Sequence, residues 1–283
     1  MKRSERAVCQ KLYKLYGLLR RHFGYASPWW PGSPLEIALT AILVQQCDWS
    51  AAWKGVCRLR ETGLLDLPKL SAADYELVQR CIREVAFAPT KSRRLVHFAQ
   101  ALIDRGQEKI ETYLTPATET SALRKDLLSL DGIGEETADC ILLYASEHAT
   151  FVIDAYTRRA FRRLNLWPEL GEDFWSGSYG RLQDFFQRHL RADLSWYAAF
   201  PFAEGVPLEV ALFRDFHAQL VELGKHHCLK SKPRCHAPGQ QGWPGYPICE
   251  PHCPEGACSA CPMADLCAAA GRSPVLLSPF IEK

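Results

Sequence analysis

Leu130-Asp131-Gly132-Ile133-Gly134-Glu135-Glu136-Thr137-Ala138 sets two glycines two apart between an apolar helical stretch and a second helix beginning near Glu135. Phe151-Val152-Ile153-Asp154-Ala155-Tyr156-Thr157-Arg158-Arg159 follows shortly after it. Glycines open backbone conformations closed to other residues and allow a partner to approach closely, and backbone amides at a helix start bind an anion such as phosphate. Asp154 lies between an apolar run and a helical stretch, so it reads as an N-cap, a position that favours Asp.

Working outward from this pair of segments, apolar residues recur with helical period over Val8 to Phe23, Leu35 to Thr62, Tyr75 to Val85, Lys91 to Asp104, Glu119 to Leu130, Glu136 to Ser146, Ala155 to Leu164, Tyr179 to Leu190 and Leu208 to Leu223. Strand alternation is nearly absent. Breakers divide the segments, notably Trp30-Pro31-Gly32-Ser33-Pro34, Pro68, Pro89, Pro168 and the stretch from Pro201 to Pro207. The expected fold is all-α with short connections. Residues His236 to Ala257 break the pattern, being rich in Pro and Gly without periodicity, and read as a loop insertion.

With 283 residues, 47% hydrophobic and 23% charged, the chain can bury a sizeable core as one large or two smaller domains. Its apolar runs, such as Ile141 to Ala145, fall far short of the roughly 18 residues that span a bilayer, and the basic N-terminus leads into an amphipathic stretch rather than a signal peptide. A formal net charge of +2 makes no case for nucleic acid on its own. Local clusters exist, namely Arg158, Arg159, Arg162 and Arg163; Lys91, Arg93 and Arg94; and Lys225, Lys230, Lys232 and Arg234 around two cysteines, but taken singly each is more often a solvated face than a binding site. Seven of the twelve cysteines crowd between Cys228 and Cys267, which in a reducing compartment points to metal ligation rather than disulfides.

Together the hairpin and the Phe151 to Arg159 segment resemble the signature of the endonuclease III superfamily of helix-hairpin-helix (HhH-GPD) DNA glycosylases, a likeness running from about Leu15 to Cys267. Through Trp29-Trp30-Pro31, Ile42-Leu43-Val44-Gln45-Gln46 and Phe151 to Arg159 the chain looks most like the branch that includes the type III 3-methyladenine DNA glycosylases. The resemblance implies two helical domains flanking a DNA cleft, with Asp154 at their junction. One is a six-helix barrel over residues 26–139 ending in the helix-hairpin-helix motif. The other is a discontinuous catalytic and iron-sulfur cluster domain of residues 1–25 and 140–283, interrupted by the insertion at 236–257. The expected partner is double-stranded DNA containing a damaged base, bound by a monomer in a bacterial or archaeal cytosol, with no membrane involved.

In that family frame Asp154 is the catalytic carboxylate. Breaking a base-sugar bond develops positive charge on the deoxyribose, which a nearby anion stabilises while it orients or deprotonates the attacking water. Gly132, Ile133 and Gly134 would hold a DNA phosphate, Gln45 would fill the gap left by the flipped nucleotide, and Phe87 would be the apolar wedge. Lys91, Arg158, Lys230, Lys232 and Arg234 are the expected phosphate contacts. Trp29, Trp30 and Trp49 are candidates for stacking on the base, with Glu136 beside them in the pocket; a stacked indole suits a cationic base such as an N-alkylated purine. In bifunctional members of the superfamily a lysine stands where this chain has Glu136, and a carboxylate cannot form an imine. A monofunctional enzyme is therefore expected, with glycosylases for uracil, mismatched thymine or an oxidised base, or a non-catalytic lesion binder, as alternatives.

Cys228-x6-Cys235 and Cys258-x2-Cys261-x5-Cys267 resemble the family's cluster loop, C-x6-C-x2-C-x5-C, split by the insertion. Four thiolates at such spacing suit a [4Fe-4S] cluster or a structural zinc, and the resemblance implies the cluster; five cysteines compete for the four places, since both Cys235 and Cys258 could fill the second. The insertion adds His236, Cys249, His252 and Cys253, which suggest a second site, for zinc. An electron-transfer protein lacks support because the ferredoxin spacing C-x2-C-x2-C-x3-C-P is absent.

Overall fold

In a computed structural model the chain forms two compact units, one of Met1–Trp29 with Phe151–Lys283 and one of Trp30–Thr150. The structure describes residues 3–26, 29–171, 173–202, 205–236 and 260–270. Among them there is no strand, in agreement with the all-α expectation, and no helix long and apolar enough to cross a membrane. Cys249, His252, Cys253 and Cys258 lie outside the described residues.

The Trp30–Thr150 unit contains α2 (Pro34–Leu43), α3 (Trp49–Glu61), α4 (Leu67–Ser71), α5 (Tyr75–Cys81), α6 (Ala88–Asp104), α7 (Ile110–Tyr113), α8 (Thr120–Leu128) and α9 (Glu135–Cys140), which runs on into a π-helical turn, Ile141–Ala145. Helix α2 is apolar apart from Glu36 and Thr40 and is buried from Leu35 to Leu43, as expected of a helix enclosed by others. It packs on α3, α6, α7, α9 and the π-helical turn. That packing places residues 140–150 in this unit, whereas the sequence reading put them in the other domain. Its start is fixed by a capping box, Ser33 with Glu36, and Arg60 pairs with the same carboxylate.

The continuous helix expected over Leu35 to Thr62 is broken after Leu43. Gln46 adopts a left-handed backbone, φ 51°, and Asp48 then caps α3 by accepting from the Ser50 amide at 2.9 Å. No glycine or proline marks the break.

The other unit comprises α1 (Arg3–Phe23), α10 (Ala155–Leu164), α11 (Tyr179–Arg191) and α12 (Leu208–His226) with short 3-10 turns between them. Helix α12 is its buried centre, packed against α1 and α10. Its Asp215 receives Tyr16 and Arg20 of α1 at 2.5 Å each and the Ala26 amide at 2.9 Å, so the buried charge is paired and hydrogen-bonded. Where α10 crosses α12, Gly224 makes room for Tyr156: a Cβ at position 224 would lie 2.2 Å from the Tyr156 ring.

A helical Gly→Ala exchange ordinarily stabilises by about 0.5–1 kcal/mol. At Gly224 the forced repacking costs about 1–3 kcal/mol and wins. Gly224→Ala should therefore lower the thermal midpoint, and a raised midpoint would contradict the close approach of α10 to α12.

Candidate active site

Asp154 closes the buried run Phe151, Val152 and Ile153 and begins α10. Its backbone is extended and its Oδ1 accepts from the Thr157 amide at 2.6 Å, so the expected cap is present. Oδ2 lies 3.5 Å from Nε2 of His217 on α12. The residue is only 6% exposed. Burial pushes its carboxyl up, but the His217 and Thr157 contacts outweigh burial and hold it below the ordinary aspartate value. The result is a desolvated anion with both oxygens directed.

Trp29 packs edge-on against His217, ring centroids 5.7 Å apart, and donates its indole N–H to Glu222 at 2.9 Å. Glu222 also meets His226 at 3.0 Å, and Lys225 lies 3.9 Å from it and 5.7 Å over the Trp29 ring. Burial raises the Glu222 carboxyl, yet His226, Lys225 and Trp29 together bring it below its ordinary value. His217 and Glu222 escaped the sequence reading. For Glu222 a signal was available: Asp215, Gln219, Glu222 and His226 recur at helical spacing inside an apolar helix, a polar stripe that needs partners if buried, whereas His217 lies off that stripe.

Of the other expected pocket residues, Trp30 is 7% exposed and packs edge-on to Trp49 at 5.0 Å and against Tyr144 at 5.2 Å. It is a core residue of the Trp30–Thr150 unit, while Trp49 stays half-buried and stacks on Trp53. Glu136 is exposed in the first turn of α9.

The hairpin forms as expected. Gly132 takes φ 77°, Ile133 is buried, and Gly134 caps α9. Arg124 of α8 holds Asp139 of α9 through two hydrogen bonds, 2.8 and 3.0 Å, fixing the two helices to each other. Gln45 donates to the Gly132 carbonyl at 2.9 Å and to Thr137 at 3.0 Å. Phe87 is 63% exposed at the start of α6 with φ 59°, a conformation that costs a bulky residue about 1–3 kcal/mol.

The expected Lys91 phosphate contact is corrected, and Arg158 is placed against backbone of its own chain. Lys91 is 2% exposed, its ammonium donating to the carbonyls of Leu43 and Gln45 at 2.7 and 2.6 Å. It faces inward because it falls on the apolar side of α6, whereas Arg93 two residues on is exposed. Arg158 is half-buried and donates to the carbonyls of Trp175 and Gly177. Its neighbours Arg159 and Arg163 hold the carbonyls of Gly224, Cys228, Leu229 and Lys230, binding the cysteine loop to α10. Lys230 and Lys232 are exposed and Arg234 is half-buried.

Cys228, Cys235, Cys261 and Cys267 line one pocket, with Ala160, Leu164, Leu223 and Met263 as apolar walls. Among the described residues, no group of three or more His, Cys, Asp or Glu is close enough to hold a single metal ion. His236 approaches the Ala270 carbonyl at 3.2 Å.

The sign of the Asp154 shift gives a stability test. A carboxyl held below its unfolded value adds stability above that value, and loses it as pH falls through the folded one. The stability of wild type relative to Asp154→Asn should therefore decline as pH is lowered from about 6 toward 3. A pH-independent difference in urea unfolding would show that the carboxylate is not held ionised.

Residues 39–173 match the family model described as "HhH-GPD superfamily base excision DNA repair protein". MJ1434 of Methanocaldococcus jannaschii, whose name places it among DNA repair glycosylases, is 30% identical over 222 residues, 78% of this chain and 90% of that one. The DNA glycosylase/AP lyase ROS1 of Arabidopsis thaliana is 27% identical over 188 residues, 63% of this chain but 12% of ROS1. In structure, the 3-methyladenine DNA glycosylase MagIII of H. pylori, solved with 1,N6-ethenoadenine, is similar with TM-score 0.62 and 24% identity, covering 75% of this chain and 95% of MagIII. The chain belongs to the HhH-GPD superfamily of base excision DNA repair proteins.

Proposed function

We propose that this protein is a monofunctional DNA glycosylase that hydrolyses the N-glycosidic bond of an alkylated purine. The observation that carries the reading is Asp154, a buried carboxylate kept ionised by the Thr157 amide and His217. As the base departs, positive charge grows on the deoxyribose, and a pre-oriented anion lowers the barrier without reorganising. Asp154 also directs the water that adds to the sugar carbon, taking up its proton as the C–N electron pair leaves with the base. Unstacking the nucleotide falls to Phe87, already exposed, and to Gln45 beside the hairpin.

AP lyase chemistry of the kind named for ROS1 proceeds through an enzyme amine, and Glu136 supplies none at the hairpin position. For the base, Trp29 supports a cationic ligand, because its N–H rests on the ionised Glu222. Purines alkylated at N3 or N7 carry such a charge and have a weakened glycosidic bond.

The four cysteines around one cavity fit a [4Fe-4S] cluster held by Cys228, Cys235, Cys261 and Cys267; when bound it would supply an ordered loop rather than a reacting group. That loop presents Lys230 and Lys232.

Duplexes carrying single lesions, scored for base release before and after alkali, test the reading. Release of alkylated purines with strand breaks only after alkali is expected. Asp154→Asn should slow it about 10²–10³-fold with DNA affinity retained. Preferential release of uracil, thymine or an oxidised base would overturn the substrate class, binding without release would overturn the enzyme, and borohydride trapping of the protein on DNA would overturn monofunctional action. Anaerobically purified protein should contain about four irons, and iron-free protein of native fold would remove the cluster.

A further inference from the structure

Phe87 is the N-cap of α6, and Lys91 and Arg94, three apart in the helix that follows, share one side of it. Each reaches something different. Phe87 is the exposed tip. The Lys91 ammonium holds the carbonyls of Leu43 and Gln45, on either side of Val44 and just before the left-handed Gln46. Arg94 donates to Gln45 Oε1 at 3.3 Å, and its side chain covers Gly132 so closely that a Cβ there would lie 2.5 Å from its Cδ and Nε. Gln45 completes the circuit by donating to the Gly132 carbonyl.

We infer that Lys91 and Arg94 are positioning residues for duplex opening. They lock the Gln45 turn, the Phe87 tip and the hairpin into one piece. The inference rests on the reading of Phe87 and Gln45 as the side chains that open the duplex. Both tips stand on left-handed non-glycine backbone, at Gln46 and Phe87, a conformation that reverts to a commoner one unless its surroundings hold it. Wedging apart stacked bases pushes back on the inserted side chain. A buried ammonium with two carbonyl partners resists that push where a surface lysine would not, since releasing it leaves two acceptors and a charge without partners in a dry site. Arg94 transmits the restraint to the hairpin, so grip on the phosphate and insertion into the stack become one event.

The test uses the full chain and a duplex carrying a tetrahydrofuran abasic site with 2-aminopurine opposite it, so that no base is excised and Asp154 chemistry plays no part. The wild-type protein at saturation should raise 2-aminopurine fluorescence as the stack opens, and Phe87→Ala should abolish the rise. Lys91→Met and Arg94→Met should cut its amplitude to about one third or less, while the binding midpoint by anisotropy moves less than about threefold. Full wild-type amplitude in both variants overturns the inference. If Lys91→Met does not fold, Arg94→Met, substituted at a half-exposed position, decides alone. No rise with the wild-type protein overturns the duplex-opening reading itself, and the inference with it.

Discussion

An ionised carboxylate kept away from water is the constraint on which the Asp154 unit depends. Burying a lone charge is prohibitive, so the chain must bring partners to it. One partner is local, the Thr157 amide of the turn that Asp154 begins. The other, His217, comes from α12, and its position is only as good as the packing of α10 against that helix. The Gly224 and Tyr156 contact sets this packing, and Arg159 and Arg163 extend it to the cysteine loop. Site and scaffold are therefore one network.

The Trp30–Thr150 unit meets the inverse problem, a buried cation. Lys91 solves it with carbonyls left over where α2 ends, and Arg124 with Asp139 shows the same economy across the hairpin. Neither arrangement resembles the surface charge that the composition suggests. Cations that read as a DNA-binding face are largely consumed in holding loops, which leaves Lys230, Lys232 and exposed residues such as Arg93 to meet solvent.

Local signals were legible wherever they were chemically complete. The bounds of α10 follow from Asp154 at one end and the left-handed Asn165 at the other, and the hairpin from its glycines. The break between α2 and α3 was not legible, because Gln46 takes a left-handed conformation that its residue type does not advertise and that Lys91, distant in sequence, holds in place. Lys91 itself, next to Arg93 and Arg94, looked like part of a solvated run; only the helical rotation about α6 separates inside from outside. His217 and Glu222 were hidden for a related reason. A polar residue within an apolar helix declares that it needs a partner but does not say which, and those partners, Asp154 and Trp29, come from other parts of the chain.

The ammonium of Lys91 also has a long-range effect. Helix α2 ends beside the hairpin, and the aligned peptide dipoles of a helix leave about half a negative charge at that end. Unopposed, this would repel a phosphate approaching the neighbouring glycines. With a whole positive charge seated on the terminal carbonyls, the end of α2 becomes net positive. A residue that never reaches the surface thus sets the sign of the potential there, and because it is shielded from solvent, added salt screens it less than it screens the exposed lysines.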